Sequence, residues 1–412
     1  MNLETFERNL EHYAELAVRT GVNIQPGQTL VVNAPLTAAE FVRAVARKAY
    51  EAGAGNVHVE WTDELLTAIK YKQAPEEALV RVPLWKSAGM TELALEGAAF
   101  LYIKGTDPDL FKGVDPARIA KASKALAEAN REFSTYTRGS LVSWTIVTVP
   151  NEGWASKIFP EATPQEAVEK LWEQIFRLTR SDRENPLAAW EEHLEHLQKW
   201  STYLNAKRYR RLHFKAPGTE LAIGLPDGHL WISAGEKNAK GVPFVANIPT
   251  EEVFTAPDRN DVSGYVTSTK PLNYNGARIE NFTLTFANGK VTDVRAEHGE
   301  DILRNLMATD EGASHLGEVA LVPHRSPVSE SGLTFYNTLY DENASCHLAV
   351  GSSFPTCAEG GTGLTRDELM QRGFNQSLVH TDFMIGSAEM DIDGETAEGV
   401  REPLFRSGNW VI

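Results

Sequence analysis

The first half of the chain alternates between helical and extended hydrophobic patterns. Apolar side chains recur every three or four residues over residues 3–17, which predicts an amphipathic helix that ends at Gly21. The apolar run at residues 29–34 predicts a buried strand, a helix follows from Thr37, and residues 57–61 alternate as a second strand. Strand, helix and strand in this order form a parallel βαβ unit.

The same alternation continues towards the middle of the chain. Residues 98–103 and 141–149 have strand patterns, and residues 116–131 between them have a helical pattern. This order predicts an α/β fold with a doubly wound, mostly parallel sheet. Two further helices are predicted at residues 164–179 and 186–206.

After about residue 207 the pattern changes to short alternating strands separated by turns. Residues 211–215 and 220–224 are two such strands, and the Asn288-Gly289 pair suits the type I′ turn of a hairpin. Helical patterns return only at residues 301–307 and 365–372. We therefore expect an α/β scaffold domain over residues 1–206 and an α+β domain with antiparallel strands over residues 207–412.

The amino-acid composition limits the kinds of partner that the protein can bind and the cellular compartment in which it is expected. The 412 residues carry 40 Lys plus Arg against 56 Asp plus Glu, a formal net charge of −16, which disfavours a nucleic-acid partner. A charged amphipathic N-terminus and the lack of a long apolar run argue against a secretory signal and a membrane span. The two cysteines, Cys346 and Cys357, allow a disulfide, but two reduced thiols in a cytoplasmic protein are the favoured interpretation.

Common catalytic signatures are missing from the sequence. It contains no HExxH helix, GxSxG elbow, GxxxxGK[ST] loop or complete GxGxxG after a strand. The parallel sheet of the first half is therefore expected to be a scaffold rather than a nucleotide site.

Acidic residues and histidines of the second half are the candidates for chemistry. His380 and Asp382 lie in a stretch of strand character, where residues two apart point to the same side, so both can reach one ion. An imidazole and a carboxylate suit zinc, cobalt or manganese. Each such pair also fits an ordinary surface histidine or a solvated carboxylate at a strand end.

Four segments together carry more information than each one alone. PTEEVFTAP, GEVALVP, SGLTFYNTLYDENASCHLA and HTDFMIGS occur in this order. They resemble the thermophilic-type metallo-aminopeptidases (peptidase family M29, the aminopeptidase T and aminopeptidase S group). The resemblance extends over nearly the whole chain, including the opening helix and the PGQTLVV strand.

The resemblance implies a pair of divalent ions (Zn²⁺, Co²⁺ or Mn²⁺) in the second domain. Carried over segment by segment, the implied metal ligands are Glu252, Glu318, Glu342, His347, His380 and Asp382. Glu251 and Asp341 are disfavoured, because neighbouring side chains of an extended segment face opposite ways. Which acid bridges the ions stays open at this point.

The implied reaction is removal of the N-terminal residue from short peptides with a free amino terminus. A hydroxide shared by two ions about 3.5–4 Å apart would attack the peptide carbonyl, and a general base would take the proton of the water. Glu318 or Glu342 is the expected base, with Glu318 slightly favoured. The family also implies a homodimer whose active sites face an internal cavity.

One position departs from the family pattern. Seven residues after His347, where the pattern has a tyrosine that helps to stabilise the transition state, this chain has Phe354. Three explanations stand: the hydroxyl is dispensable, Tyr340 or Tyr336 replaces it, or the enzyme is slow. Loss of one oxyanion donor costs about 10²–10³ in kcat.

Two other functions are compatible with the same residues. One is a metal-dependent amidohydrolase of a small amidated substrate, which would accept acylated substrates that an aminopeptidase refuses. The other is a non-catalytic metal-binding dimer, which would bind ions and hydrolyse no peptide amide.

Overall fold

The structure is a computed structural model that describes residues 1–274 and 277–412. The chain divides into two compact units. Unit 1 comprises Met1–His193 and Gly235–Pro249, and unit 2 comprises Leu194–Ala234, Thr250–Tyr274 and Arg278–Ile412. Compactness within one chain does not test whether a part folds alone, so the domain boundary near residue 206 stays a prediction.

Helices and strands follow the chain in this order. The helices are α1 Leu3–Glu15, α2 Ala39–Glu51, α3 Glu64–Gln73, α4 Glu76–Val80, α5 Leu84–Leu95, α6 Pro116–Ala129, α7 Arg131–Arg138, α8 Glu152–Ile158, α9 Pro164–Leu178, α10 Pro186–Lys207, α11 Glu300–Met307, α12 Pro327–Glu330, α13 Thr338–Asp341 and α14 Arg366–Gln371. The strands are β1 Thr29–Pro35, β2 Asn56–Thr62, β3 Ala99–Lys104, β4 Trp144–Thr148, β5 Arg211–Ala216, β6 Thr219–Gly224, β7 Ile232–Ser233, β8 Gly235–Lys237, β9 Pro243–Val245, β10 Val253–Thr255, β11 Val262–Thr267, β12 Leu272–Tyr274, β13 Ala277–Ile279, β14 Thr283–Ala287, β15 Lys290–Arg295, β16 Leu316–Leu321, β17 His347–Gly351, β18 His380–Met384, β19 Asp391–Glu395, β20 Arg401–Arg406 and β21 Asn409–Trp410.

Unit 1 is built on a parallel sheet with the strand order β2-β1-β3-β4. Because β1 pairs with both β2 and β3, the chain winds outwards from the centre in two directions. Val31 of β1 and Phe100 of β3 are fully buried in a core that also contains Met90 and Ala94 of α5. The predicted doubly wound parallel sheet is confirmed.

The outer edge of β4 is covered by the segment that follows the β8–β9 hairpin. The backbone N–H of Ile146 donates to the Ala246 carbonyl at 2.8 Å, and the N–H of Ile248 donates to the Ile146 carbonyl at 3.1 Å. An uncovered sheet edge offers unpaired backbone groups to other chains. Residues 246–248 therefore satisfy groups that β4 would otherwise present at the rim.

Unit 2 contains two antiparallel sheets, as the alternating strands predicted. One has the order β15-β14-β11-β6-β5-β19-β20-β21 and the other β18-β17-β16-β10-β7. Asn288 and Gly289 both have positive φ values (49° and 81°), as a type I′ turn between β14 and β15 requires. The α+β character expected for the second half is confirmed.

Helices α3 to α5 have no counterpart in the predictions from sequence. Their apolar residues do not mark a buried stripe: Leu65, Leu66 and Trp85 are 69%, 63% and 73% exposed. Without such a stripe the helical period is weak in the sequence. No helix among the described residues is long and apolar enough to cross a bilayer.

Candidate metal centre

The five-stranded sheet of unit 2 displays most of the candidate residues on one face. Paired residues of an antiparallel ladder point to the same side. Glu318 of β16 pairs with Ala349 of β17, which pairs in turn with Asp382 of β18. His347 lies two residues before Ala349, and His380 lies two residues before Asp382. The alternation of the strands therefore puts these side chains on a common face.

The first cluster on this face joins Glu252, Glu318 and His347. The Nε2 atom of His347 lies 2.9 Å from Oε2 of Glu252 and 3.4 Å from Oε1 of Glu318. All three residues are buried. Their potential ligand atoms lie within 4.8 Å of one another, which is close enough to surround one ion.

The second cluster joins Glu318, His380 and Asp382. The Nε2 atom of His380 lies 3.6 Å from Oε2 of Glu318 and 3.4 Å from Oδ1 of Asp382. These ligand atoms also lie within 4.8 Å of one another. The two oxygens of Glu318 thus face different histidines, and Glu318 belongs to both clusters.

Backbone carbonyls orient the two imidazoles. The Nδ1 atom of His380 lies 2.7 Å from the Ser352 carbonyl, and Nδ1 of His347 lies 3.4 Å from the Ser345 carbonyl. A carbonyl only accepts hydrogen bonds, so the proton is placed on Nδ1 and Nε2 is turned towards the carboxylates. Histidines that bind metals usually have this arrangement, because the outer contact fixes the tautomer and the ring direction.

Glu342 lies beside the two clusters but in neither of them. It begins a short 3₁₀ turn, Glu342–Ala344, directly after α13. Burial and the nearby carboxylates of Asp382 and Glu252 raise the pKa of Glu342 well above its usual value. It therefore lies within electrostatic reach of the centre.

The neighbouring acid Asp341 is committed to other contacts. Its carboxylate accepts hydrogen bonds from the backbone N–H groups of Phe335 and Asn337, at 2.9 and 3.1 Å, and lies 3.4 Å from Nζ of Lys270. The sequence argument separated Asp341 from Glu342 by assuming an extended segment. Both residues instead lie in helical turns, and their different contacts distinguish them.

The charges of the centre fit a divalent cation. Burial raises the pKa of Glu318, and burial opposes charging of His347, although Glu252 and Glu318 outweigh it and raise the pKa of His347 well above its usual value. Oε2 of Glu252 is fully buried and has no properly aligned hydrogen bond within the described residues, although His347 lies near it. A buried carboxylate oxygen without such a bond is costly unless a cation lies beside it.

Two alanines leave room between the candidate ligands. Ala349 separates Glu318 from Asp382 in one cross-strand row, and Ala320 lies beside His347 in the next row. A methyl group at each position keeps the face open above the strands. No motif in the sequence marks these alanines, because small residues are common in buried strands.

Asn343 is a further residue that sequence reasoning missed. It is fully buried, and its Oδ1 atom accepts a hydrogen bond from the Glu251 N–H at 2.6 Å. Its Nδ2 atom donates to the Leu339 carbonyl at 2.8 Å. The amide side chain therefore ties the turn that carries Glu342 to the segment that carries Glu252. Only the adjacency of Asn343 to a candidate ligand could have pointed to it.

The aromatic residues discussed for the transition state lie in different surroundings. Phe354 packs edge-on against the imidazole of His380, with ring centroids 4.9 Å apart. Tyr340 is fully buried and stacks on Phe335. Tyr336 is partly exposed and has a positive φ of 52°, which non-glycine residues seldom adopt.

Comparisons with known proteins agree with this centre. The family described as "Thermophilic metalloprotease (M29)" matches residues 6–410. Aminopeptidase 2 of Geobacillus stearothermophilus is 53% identical over 410 residues, covering 100% of this chain and 99% of that protein. Aminopeptidase AmpS of Bacillus subtilis (strain 168) is 50% identical over 410 residues, covering 100% of each. The structure of wild-type AmpT from Thermus thermophilus superimposes with a TM-score of 0.93 at 44% identity and covers 99% of this chain and 100% of that one. By the extent of these matches, the chain belongs to the thermophilic metalloprotease (M29) family.

Proposed function

We propose that this protein is a metal-dependent aminopeptidase that removes N-terminal residues from short peptides with the help of two divalent ions. The proposal of two ions rests on one observation, which is that Glu318 belongs to both clusters of candidate ligands. Its Oε1 atom faces His347 and its Oε2 atom faces His380, so one carboxylate serves two adjacent ligand clusters. This is the arrangement that a bridging ligand needs.

In this proposal, Glu252 and His347 would hold one ion, His380 and Asp382 would hold the other, and Glu318, which faces both histidines, would contribute to both sites. When bound, the ions would polarise the peptide carbonyl, lower the pKa of water and bind the free amino group. Zinc, cobalt and manganese all suit such carboxylate and imidazole ligands. The name of the family, and the names of its aminopeptidase relatives, support this assignment.

Glu342 is the better candidate for the general base. The sequence slightly favoured Glu318 as the general base. In the structure both carboxylate oxygens of Glu318 face the ligand clusters, so Glu318 is less available to accept a proton. Glu342 lies next to the clusters, and burial together with the nearby carboxylates raises its pKa, which makes its carboxylate a stronger proton acceptor. It would accept a proton from the attacking water and return it to the leaving amine.

Transition-state stabilisation must do without a hydroxyl at Phe354. That ring has no hydrogen-bond donor and instead holds the imidazole of His380 by an edge-on contact. Tyr340 is enclosed in the core, so partly exposed Tyr336 is the more accessible of the two alternative donors.

A cytoplasmic homodimer is part of the same proposal. Cys346 and Cys357 are both free and buried, which suits a reducing compartment. Large apolar side chains, among them Leu65, Leu84 and Trp85, are mostly exposed on unit 1. Where such side chains form a contiguous patch, they are typical of a surface that binds another protein.

The test measures hydrolysis of leucyl-, phenylalanyl-, alanyl- and arginyl-p-nitroanilides after dialysis against a chelator, with and without added Co²⁺, Zn²⁺ or Mn²⁺. We expect release from free-amino substrates only when metal is restored, and none from N-acetylated substrates. Glu318→Gln should lose metal binding. Glu342→Gln should keep the metal and lose about 10²–10⁴ in kcat. The exposed carboxylate of Glu398 provides a matched control, Glu398→Gln, which should behave as wild type.

Other outcomes select the alternative functions. Cleavage of acylated substrates would indicate an amidohydrolase of small amides. Stoichiometric metal binding without hydrolysis of any substrate would indicate a non-catalytic metal-binding protein.

A further inference from the structure

A polar pocket opens at one edge of the eight-stranded sheet of unit 2, where neighbouring strands begin or end. Strands β11, β6, β5 and β19 pair side by side in this order. The pocket lies between the start of β5, the end of β6, the segment before β11 and the turn after β19, and its volume is about 330 Å³. Sites for small molecules begin at about this size. None of the candidate metal ligands is among the described residues that line it.

Charged side chains of both signs line the pocket. They are two guanidinium groups and four carboxylates: Arg210, Arg211, Asp227, Asp258, Asp261 and Glu395. Two of the carboxylates already have close partners. Asp261 accepts a hydrogen bond from Nη2 of Arg211 at 2.6 Å, and Oε2 of Glu395 lies 2.7 Å from Nε2 of His213. These contacts leave one guanidinium group and two carboxylates for a ligand.

Asp258 presents a carboxylate that is held in place but has no cationic partner among the residues that the structure describes. The residue is half-buried, and its Oδ1 atom accepts a hydrogen bond from the Asn260 N–H at 2.8 Å. Gly373 lies so close that a β-carbon there would come within 3.1 Å of Oδ1. Because removing a lone carboxylate from water is costly, a cationic ligand group beside Asp258 would be stabilising.

Arg210 supplies the opposite charge. Its N–H donates to the Glu395 carbonyl and its carbonyl accepts from the Leu225 N–H, each at 2.8 Å, so its backbone is fixed on both sides. Within the described part of the chain, its guanidinium pairs with Asp227 alone, at 3.9 Å, and the two side chains are 62% and 98% exposed. An ion pair so long and so exposed contributes little. Arg210 can therefore offer two parallel hydrogen bonds to a carboxylate of a ligand.

We propose that this pocket binds a small zwitterion, either a free amino acid or a dipeptide, with its ammonium group at Asp258 and its carboxylate at Arg210. The two residues are tied to consecutive positions of one segment, because the Asp258 N–H donates to the Gly224 carbonyl and the next residue, Leu225, donates to Arg210. A ligand with a single charge would leave one of the two groups without a partner. The proposed aminopeptidase function releases free amino acids, but the inference does not depend on that function.

The experiment titrates metal-free protein with L-alanine and with L-alanyl-L-alanine and follows binding by ligand-observed NMR. Removal of the metal prevents hydrolysis and excludes binding to the ions. N-acetylation removes the ammonium charge of each ligand, and amidation removes its carboxylate charge. We expect saturable, one-to-one binding of at least one of the two zwitterions, with a Kd on the order of 1 mM. Its acetylated and amidated analogues should each bind about tenfold more weakly or worse.

Variants connect each charge of the ligand to its residue. Arg210→Gln and Asp258→Asn should each weaken binding of the zwitterion about tenfold. In Arg210→Gln the zwitterion and its amide should bind alike, and in Asp258→Asn the zwitterion and its acetylated analogue should bind alike. Arg208→Gln and Asp367→Asn change exposed groups of unit 2 that do not line the pocket, and they should bind as wild type does.

Circular dichroism shows whether the variants fold, and the analogue series on wild type does not depend on them. A lack of saturable binding by both zwitterions overturns the inference, and so does an acetylated or amidated analogue that binds as tightly as its parent. Unchanged affinity in both Arg210→Gln and Asp258→Asn would place the ligand elsewhere and overturn it as well. No step of this experiment measures peptide hydrolysis, so each of these outcomes leaves the proposed function intact.

Discussion

Single residues of the centre differ in how far the sequence could identify them. His380 and Asp382 could be identified from the alternation of a strand, because residues two positions apart in a strand point to the same side. Glu342 could not be separated from Asp341 in this way. The distinction depends on Lys270, which is 71 positions away from Asp341 in the sequence. Contacts across such separations leave no local pattern.

Asn343 provides a test at this scale. Alanine at this position removes the hydrogen bonds to the Glu251 N–H and the Leu339 carbonyl, and buried groups that lose a partner cost about 1–3 kcal/mol each. We expect Asn343→Ala to lower the free energy of unfolding by this order and to weaken metal binding about 10–100-fold, as loss of a supporting contact does.

The measurements are urea unfolding and cobalt titration. Asn260→Ala, which changes an exposed asparagine of the same unit, is the control and should alter neither quantity. Unchanged metal affinity in Asn343→Ala would mean that the two ligand segments are positioned without this side chain.

Individual strands and helices were largely predictable, but their pairing was not. Strand character around His380 and Asp382 marks β18 as a strand, and the period of 3.6 residues marks α1, α2 and α9 as helices. The register between β16 and β17 shifts between Leu316 and Glu318. Such an irregularity decides which side chain meets which neighbour. Gly317 lies at the shift, and a glycine within a strand often marks a bulge, but it does not tell which residues of the two strands pair.

Ala349 of β17 tests the register directly. A leucine there would extend from the row between Glu318 and Asp382 into the space proposed for the ions. We expect Ala349→Leu to abolish metal binding and activity and to lower the free energy of unfolding by about 1–3 kcal/mol through overpacking. Binding is measured by metal analysis after gel filtration.

Ala349→Gly is the matched control, because it keeps the face open. It should retain the metal and lose only about 0.5–1 kcal/mol from the flexibility of glycine. Full metal occupancy in Ala349→Leu would contradict the placement of the ions over this strand.

For the whole molecule, the sequence predicted two different architectures in one chain. It did not predict which segments belong to each compact unit. The parallel sheet of unit 1 and the antiparallel sheets of unit 2 both agree with prediction. The segment Gly235–Pro249 lies among unit 2 segments in sequence yet belongs to unit 1. Its short strands resemble those of the second half, so the pattern along the chain does not distinguish this segment from its neighbours in sequence.

Metal removal should act on unit 2, because every candidate ligand lies there. An ion that binds only the folded state stabilises it by about 2.7 kcal/mol when its free concentration is 100 times Kd. We expect scanning calorimetry to show that chelator lowers the Tm of unit 2 by several degrees and that Co²⁺ or Zn²⁺ restores it. A Tm that does not respond to saturating metal would contradict the proposed site.

The covering of β4 by residues 246–248 has a consequence for the chain during synthesis. Until residue 248 has left the ribosome, the nascent parallel sheet has an open rim that can pair with a neighbouring polypeptide. The edge of β4 stays uncovered while the first strands of unit 2 emerge from the ribosome. The time taken to translate residues 149–248 therefore sets how long the edge of β4 is exposed to misassociation.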